Sequence, residues 1–229
     1  MKTLIKAERL CKTFGYHENM VRAVDNVNLE IEAGDMIAIM GTSGSGKTTL
    51  LNLLSGLDTP TSGRVVYKKA HIDMTCKKEL TKYRSKHVGF IFQFFHLLPI
   101  LSAQENIHLP LMINGQKADE IYIYSLIDIL KIIGNLHTPV TKLSGGQQQR
   151  VAIARALAHK PDIVFADEPT GALDTRTSLE IMNLLKDISA KFGQTLIIVT
   201  HDPIVADQCE RVISLEDGKI ISDIRRDMG

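Results

Sequence analysis

Met36-Ile37-Ala38-Ile39-Met40-Gly41-Thr42-Ser43-Gly44-Ser45-Gly46-Lys47-Thr48 decides the fold. The first five residues are an apolar run that reads as a buried strand, and the last eight match the pattern G-x-x-x-x-G-K-[ST]. Glycines at 41, 44 and 46 let the backbone wrap closely, so that successive N–H groups point inward at phosphate oxygens. A helix starting at about Lys47 and carrying Leu50, Leu51, Leu53 and Leu54 turns its positive dipole end toward the same phosphates. Lys47 adds a full charge near the β and γ groups, and the Thr48 hydroxyl suits a Mg²⁺ ligand. The bland alternative, a Gly/Ser-rich turn that happens to hold a lysine, does not explain the flanking strand and helix.

Two further signals follow. Asp162-Ile163-Val164-Phe165-Ala166 is a short apolar run that ends in the adjacent carboxylates Asp167 and Glu168. Neighbouring strand residues face opposite ways, so the two carboxylates are expected to divide the work unless the strand has already ended. Asp167 is assigned to the metal shell and Glu168 to polarising an attacking water. Leu143-Ser144-Gly145-Gly146-Gln147 reads as a second glycine-based phosphate cradle, without a lysine. Ser144 fits a helix N-cap, the N–H groups at 145 to 147 are placed to face an anion, and Gln149 to Leu157 reads as the helix.

These segments, with the run Gln147 to Leu157 that continues the cradle, resemble the nucleotide-binding subunit of an ATP-binding-cassette (ABC) transporter over essentially the whole chain. The implied fold is α/β: a P-loop NTPase cassette with a RecA-like core, an antiparallel β subdomain and an inserted α-helical subdomain. By the resemblance, Gly41 to Thr48 with Thr49 is the Walker A loop, Gln93 the Q-loop, Ser144, Gly145, Gly146 and Gln147 the signature, Asp167 the end of Walker B, Glu168 the catalytic glutamate, Asp174 the end of the D-loop and His201 the switch histidine. It further implies that Thr48, Gln93 and Asp167 serve Mg²⁺, and that Glu168, His201, Lys47 and Gln93 serve hydrolysis. Two copies are expected to pair head to tail, each ATP lying between one copy's Walker A and the other's signature. The core is expected over 1–93 and 159–229, and the helical subdomain over about 94–158.

His201 follows Gln194 to Thr200, a β-branched run that reads as a core strand, so it is expected to emerge at a strand end. The other seven histidines, at 17, 71, 87, 96, 108, 137 and 159, show no paired metal-ligand spacing. The resemblance places Phe14 as the aromatic that stacks on adenine, where tyrosine is usual; Tyr16 competes for the role.

Four of the seven phenylalanines fall between 90 and 95. Those before Gln93 alternate like a strand; Phe94, Phe95, Leu97 and Leu98 lie beside Pro99, where a loop exposes apolar side chains to a partner or folds them into extra core. In the family this region receives a coupling helix of the membrane permease. The wording from Phe92 to Pro99, with Gln104-Glu105-Asn106, Leu109-Pro110-Leu111 and Thr170 to Asp174, resembles cassettes of macrolide exporters, lipoprotein-release systems and bacitracin-type resistance transporters. Export, or mechanotransmission for efflux, resistance or lipoprotein release, is therefore expected, with a cassette that regulates an envelope or cell-division complex as the alternative. The stretch Gly134 to Lys142 is several residues shorter than is usual there.

Composition agrees. The 229 residues suffice for a substantial core in one domain or two lobes, and a formal net charge of +1 gives no reason to expect nucleic acid as a partner. Cys11, Cys76 and Cys209 are odd in number and widely spaced, as reduced structural thiols are. No apolar run reaches the roughly 18 residues of a membrane span, and Met1 to Lys6 lacks a signal-peptide core, so the expected location is cytoplasmic, peripheral on the membrane through the permease. The soluble cassette ATPases of translation or DNA maintenance carry two cassettes or a long coiled coil, neither of which occurs here. Against a small-molecule kinase stands the signature. From Asp162 the order expected is strand, helix over about 177 to 191, strand, helix, strand, and a hairpin turning at Asp217-Gly218.

Overall fold

A computed structural model describes residues 2–15, 19–68, 70–71 and 76–226. The chain divides into two compact units, Met1–Arg84 with Thr195–Gly229, and Ser85–Gln194.

In the first unit, alternating apolar residues make long antiparallel strands. β1 (Thr3–Phe14) pairs with β2 (Val21–Glu32) and with β4 (Ser62–Tyr67), and the short β5 (Ala70–His71) pairs with β4. Leu4, Ile5, Ala7 and Leu10 of β1 are buried with Val27, Leu29 and Ile31 of β2. The sequence pattern marks only Asn26 to Ile31, the second half of β2, because its first residues, Val21 and Arg22, are exposed and carry no apolar alternation. β3 (Met36–Met40) runs parallel to β8 (Thr195–Val199) on one side and to β9 (Arg211–Glu216) on the other. β3 and β8 are buried on both faces almost throughout, which is why Met36–Met40 and 196–199 read as unbroken apolar runs. β10 (Lys219–Arg225) folds back on β9 through the expected turn, where Asp217 and Gly218 both have positive φ, as a two-residue hairpin requires.

Between β3 and β4 lies α1 (Lys47–Ser55), which buries Leu50, Leu51, Leu53 and Leu54 completely or almost so. Each contributes about 2 kcal/mol by burial, enough to anchor the helix whose first residue is Lys47. α2 (Lys77–His87) sets Tyr83 edge-on against Tyr67, with ring centroids 5.1 Å apart. The single-turn α7 (Pro203–Ala206) follows β8, capped by Asp202.

In the second unit, β6 (Val88–Phe92) runs parallel to β7 (Ile163–Asp167), Phe92 opposite Asp167. Around them lie α3 (Ala103–Ile113), α4 (Glu120–Ile129), α5 (Gly145–Leu157) and α6 (Thr175–Phe192). α5 is buried from Val151 to Ala154 and again from Ala156 to Ala158, so it serves as the core helix. The short stretch before it forms two 3-10 turns, Ile133–Asn135 and Val140–Lys142. It is stitched to the start of α3: Ala103 N–H donates to the Thr138 carbonyl (3.1 Å) and Gln104 N–H to that of Leu136 (2.9 Å).

Candidate functional site

The first unit builds the Gly41–Thr48 loop at the carboxyl end of β3, the edge at which parallel sheets place ligands. Gly46 is the N-cap of α1 with φ 99°, and a side chain there would run into the Ala23 carbonyl of β2. Lys47 is buried, and its ammonium donates to the Gly41 and Thr42 carbonyls, both at 2.8 Å, so it crosses the mouth of the loop. The loop is braced from behind: Gly218 N–H donates to the Ser45 carbonyl (3.0 Å), and Asp25 N–H to that of Gly218 (2.9 Å). The Ser45 hydroxyl is buried without a hydrogen-bond partner. A buried polar atom left unsatisfied in a glycine-rich loop that leads into a helix N-terminus fits an anionic ligand that completes it.

His201 emerges one residue past Thr200, whose N–H donates to the Ile39 carbonyl of β3 (3.1 Å). It lines a cleft of about 520 Å³ with Gly41, Thr42, Ser214 and Glu216, so strand pairing alone brings the predicted histidine to the predicted loop. Phe14 ends β1 with 47% of its surface exposed, and the Lys12 ammonium lies over its ring, 5.1 Å from the centroid. Lys12 is held by Asp58 (2.8 Å) and the Thr59 carbonyl (2.7 Å), just past α1. Its cation sits on one side of the ring, against the negative π-face. Tyr16 lies outside the described residues.

The second unit holds the remaining predicted residues. β7 ends at Asp167, and Glu168 takes a left-handed conformation, φ 48°. The strand's alternation thus stops between the two carboxylates, and the chain turns at once, Gly171 N–H donating to the Glu168 carbonyl (3.0 Å). A left-handed non-glycine costs roughly 1–2 kcal/mol and persists because neighbours over-determine it. Here the fully buried Gln149 of α5 donates to the Pro169 carbonyl, fixing the turn. Gln93 leaves β6 directly beside the Asp167 end of β7, and Gly171 passes so close that an added Cβ would lie 2.9 Å from its amide nitrogen. In this unit Gln93 and Asp167 supply an amide and a carboxylate oxygen, hard donors of the kind that suits Mg²⁺, as does the Thr48 hydroxyl of the first unit taken by itself.

The signature segment is a fully formed helix start. Ser144 caps α5, accepting from Gln147 N–H (3.4 Å), while the Gln147 side chain accepts from Ser144 N–H (2.9 Å). This capping box occupies the Gln147 N–H, which sequence reading had offered to an anion; the N–H groups of Gly145 and Gly146, in the first turn, have no carbonyl of the helix to meet. Asp174 caps α6 in the same way, accepting from the Thr177 N–H (3.0 Å) and hydroxyl (2.7 Å), which hold its carboxyl below the usual aspartate range. Ser144 to Gln147 and Ala172 to Asp174 line one open cavity of about 540 Å³.

Of the predicted partner surface, Phe94 (70%) and Leu98 are exposed, whereas Phe95 and Leu97 are half-buried. Ile100, 89% exposed, joins this surface and was missed, although it directly follows Pro99. Sequence reading also missed the residues that shape the loop. Asn106, wholly buried, accepts from Leu98 N–H (2.8 Å) and donates to the Leu98 carbonyl (3.1 Å). Arg155, in the last turn of α5, donates to the carbonyls of Phe95 (2.8 Å) and His96. No local pattern marks these two, since their partners lie 8 and about 60 residues away. Among the described residues no helix is long and apolar enough to cross a membrane.

Comparison with known proteins agrees with this geometry. Residues 24–171 match the ABC transporter family. The ABC transporter ATP-binding protein MJ0796 of Methanocaldococcus jannaschii is 45% identical over 225 residues, 95% of each chain. Its structure as a dimeric bacterial ABC transporter cassette superposes with a TM-score of 0.86 over 97% of this chain and 98% of that one. A further structure of that cassette, in a post-hydrolysis state, holds ADP and Pi. The macrolide export ATP-binding/permease protein MacB of Campylobacter jejuni is 42% identical over 226 residues, which are 98% of this chain but only 34% of that protein. With the phosphate loop, the capped signature helix and the strand-end carboxylates in place on this fold, the chain belongs to the ABC transporter family, as its ATP-hydrolysing cassette.

Proposed function

We propose that this cassette drives a membrane permease by closing as a head-to-tail pair on two ATP molecules. One observation carries the reading: the chain has two separate glycine-bearing helix starts, each suited to an anion. One carries Lys47, and the other is the lysine-free Ser144 cap with open Gly145 and Gly146 N–H groups. Two half-sites in one chain make two whole sites in a dimer, and the MJ0796 cassette, described as dimeric, supports this. The ATPase core spans 1–93 and 159–229 with its β subdomain, and the helical subdomain about 94–158.

In each site the loop from Gly41 to Thr49 wraps the phosphates, with Lys47 the local cation, and Phe14 stacks on adenine with its face away from Lys12. Glu168 polarises the water that attacks the γ-phosphorus, and His201 holds the γ-phosphate in line with it. Ser144, Gly145, Gly146, Gln147 and Asp174 of the second copy close over the same nucleotide. Thr48, Gln93 and Asp167 hold Mg²⁺, which when bound offsets the charge on the phosphate oxygens. Catalysis rests on positioning and preorganised charge.

Gln93 connects this site to the surface formed by Phe94, Phe95, Leu97 and Leu98, where the permease docks. The protein works at the cytoplasmic membrane face, as one part of a longer assembly of the kind that MacB carries in a single chain. The MacB likeness supports export, and within it the function is export or mechanotransmission for antimicrobial peptide or drug efflux or resistance, or lipoprotein release.

Glu168→Gln tests the reading. Sedimentation with ATP will show a stable dimer that does not turn over; a variant that no longer binds ATP refutes the role of Glu168. Co-purification with the native permease tests the coupling. Recovery of an envelope enzyme or division protein in place of an exporter selects the regulatory alternative.

A further inference from the structure

Lys131 stands at the end of α4 in an uncommon conformation for its residue type. Lys131 N–H donates to the Asp128 carbonyl (3.0 Å) and Ile132 N–H to that of Ile127 (3.2 Å). This is a Schellman ending, completed by the buried pair Ile127 and Ile132, and it puts Lys131 in the left-handed position at φ 55°. Glycine takes that position without strain; lysine does not. The exposed side chain also lines the cavity of Ser144, Gly145, Gly146 and Asp174.

The charged groups lining that cavity are Lys131 and Arg150 against Asp174 and Glu180. Arg150 pairs with Glu180 (3.0 Å) and donates to the Leu130 carbonyl (3.1 Å), tying the end of α4 to α5. Asp174 accepts from both donors of Thr177. The Lys131 ammonium alone makes no hydrogen bond or ion pair among the described residues, so it stands as an unpaired cation beside the two open N–H groups of the helix start.

We infer that Lys131 is a further nucleotide-binding residue, whose ammonium reaches the anionic nucleotide held on the Walker A loop of the second copy. This rests on the head-to-tail reading above. The backbone strain is retained because glycine, which would relieve it, removes the charge.

The experiment uses the full chain carrying Glu168→Gln, with ATP-driven dimerisation followed by sedimentation at about 50 mM and about 500 mM salt, beside thermal melting. Lys131→Gly will melt higher than its parent, yet need roughly tenfold more ATP to dimerise at low salt, the effect of one partly screened charge near phosphate. At high salt the gap will shrink to about twofold, and Lys131→Arg will restore dimerisation at low salt. Lys131→Gly that melts higher and dimerises like its parent overturns the inference; so does a dimerisation defect that Lys131→Arg shares or that salt leaves unchanged. Ser144→Arg, which fills the signature cavity, separates the two levels. If it dimerises normally, the head-to-tail reading itself fails; if it does not while Lys131→Gly does, only the role of Lys131 fails.

Discussion

Replacing Arg155 by methionine keeps the apolar stem against α5 and removes the guanidinium, and the structure sets the size of the effect. Arg155 grips the Phe95 and His96 carbonyls, and these two residues have φ 57° and 50°. A hydrogen bond to a charged group contributes about 1.5–3 kcal/mol; the lower end applies here because His96 is exposed, so the two bonds together hold the loop by about 3 kcal/mol. Two consecutive left-handed non-glycines then lose the charged donor that holds both of their carbonyls, and their strain favours relaxation toward ordinary φ. Burial lowers the pKa of Arg155, but from a value so high that the group stays charged, so the grip is present at neutral pH. Hydrogen exchange over the segment 93–98 reads this directly. At tenfold per 1.4 kcal/mol, protection of the Phe95 and His96 amides, which donate to Phe92 and Phe94, will fall roughly a hundredfold, while that of β7 stays within about threefold of the parent. If the loop exchanges at the parental rate, Arg155 does not hold it, and the account of how this partner surface is shaped is wrong.

Gly171→Ala places a methyl against the flexible end of Gln93, so stability will change by less than about 0.5 kcal/mol while ATP turnover drops several-fold; unaltered turnover with full stability refutes the placement of Gln93 in the site. Lys12→Met removes the cation over Phe14 and its tie to Asp58, and will weaken ATP binding a few-fold by calorimetry with little change in melting; unchanged affinity refutes Phe14 as the ring that stacks on the base. The pH prediction concerns Asp174. Its folded pKa is lowered, so its support for the start of α6 is complete above the unfolded aspartate value and is lost as pH falls through the folded value. Carboxyl NMR will show it titrating below ordinary aspartates and moving up in Thr177→Val, and an Asp174 that titrates normally in the parent removes the cap.

The phosphate loop, the signature and the strand-end carboxylates were legible because each is a short run whose own backbone makes the chemistry: glycines that permit a wrap, a serine that caps, a strand that stops. Helix and strand positions around them followed from local periodicity, as at Met36–Met40 and at the hairpin turn at Asp217-Gly218. Boundaries were less legible where the apolar pattern thins out. β2 extends five residues before Asn26, and α5 begins at Gly145, four residues before the helix was read, since glycines and glutamines carry no periodic signal. Tertiary contact overrode local preference at Glu168, Phe95 and His96, all left-handed without being glycine. Nothing in their immediate neighbours announces that.

By itself, then, the sequence determined that the chain has two glycine-bearing helix starts, a pair of carboxylates past an apolar strand and an apolar loop beyond Gln93. These are properties of residues adjacent along the chain. Only the tertiary structure decided that the Asp217-Gly218 turn buttresses the phosphate loop through Ser45, and that strand pairing brings His201 to that loop. It also decided that Asn106 and Arg155 set which apolar side chains of the partner loop face outward. Each of those depends on a hydrogen bond or register between residues far apart in sequence, and no spacing records such a contact until the chain has folded.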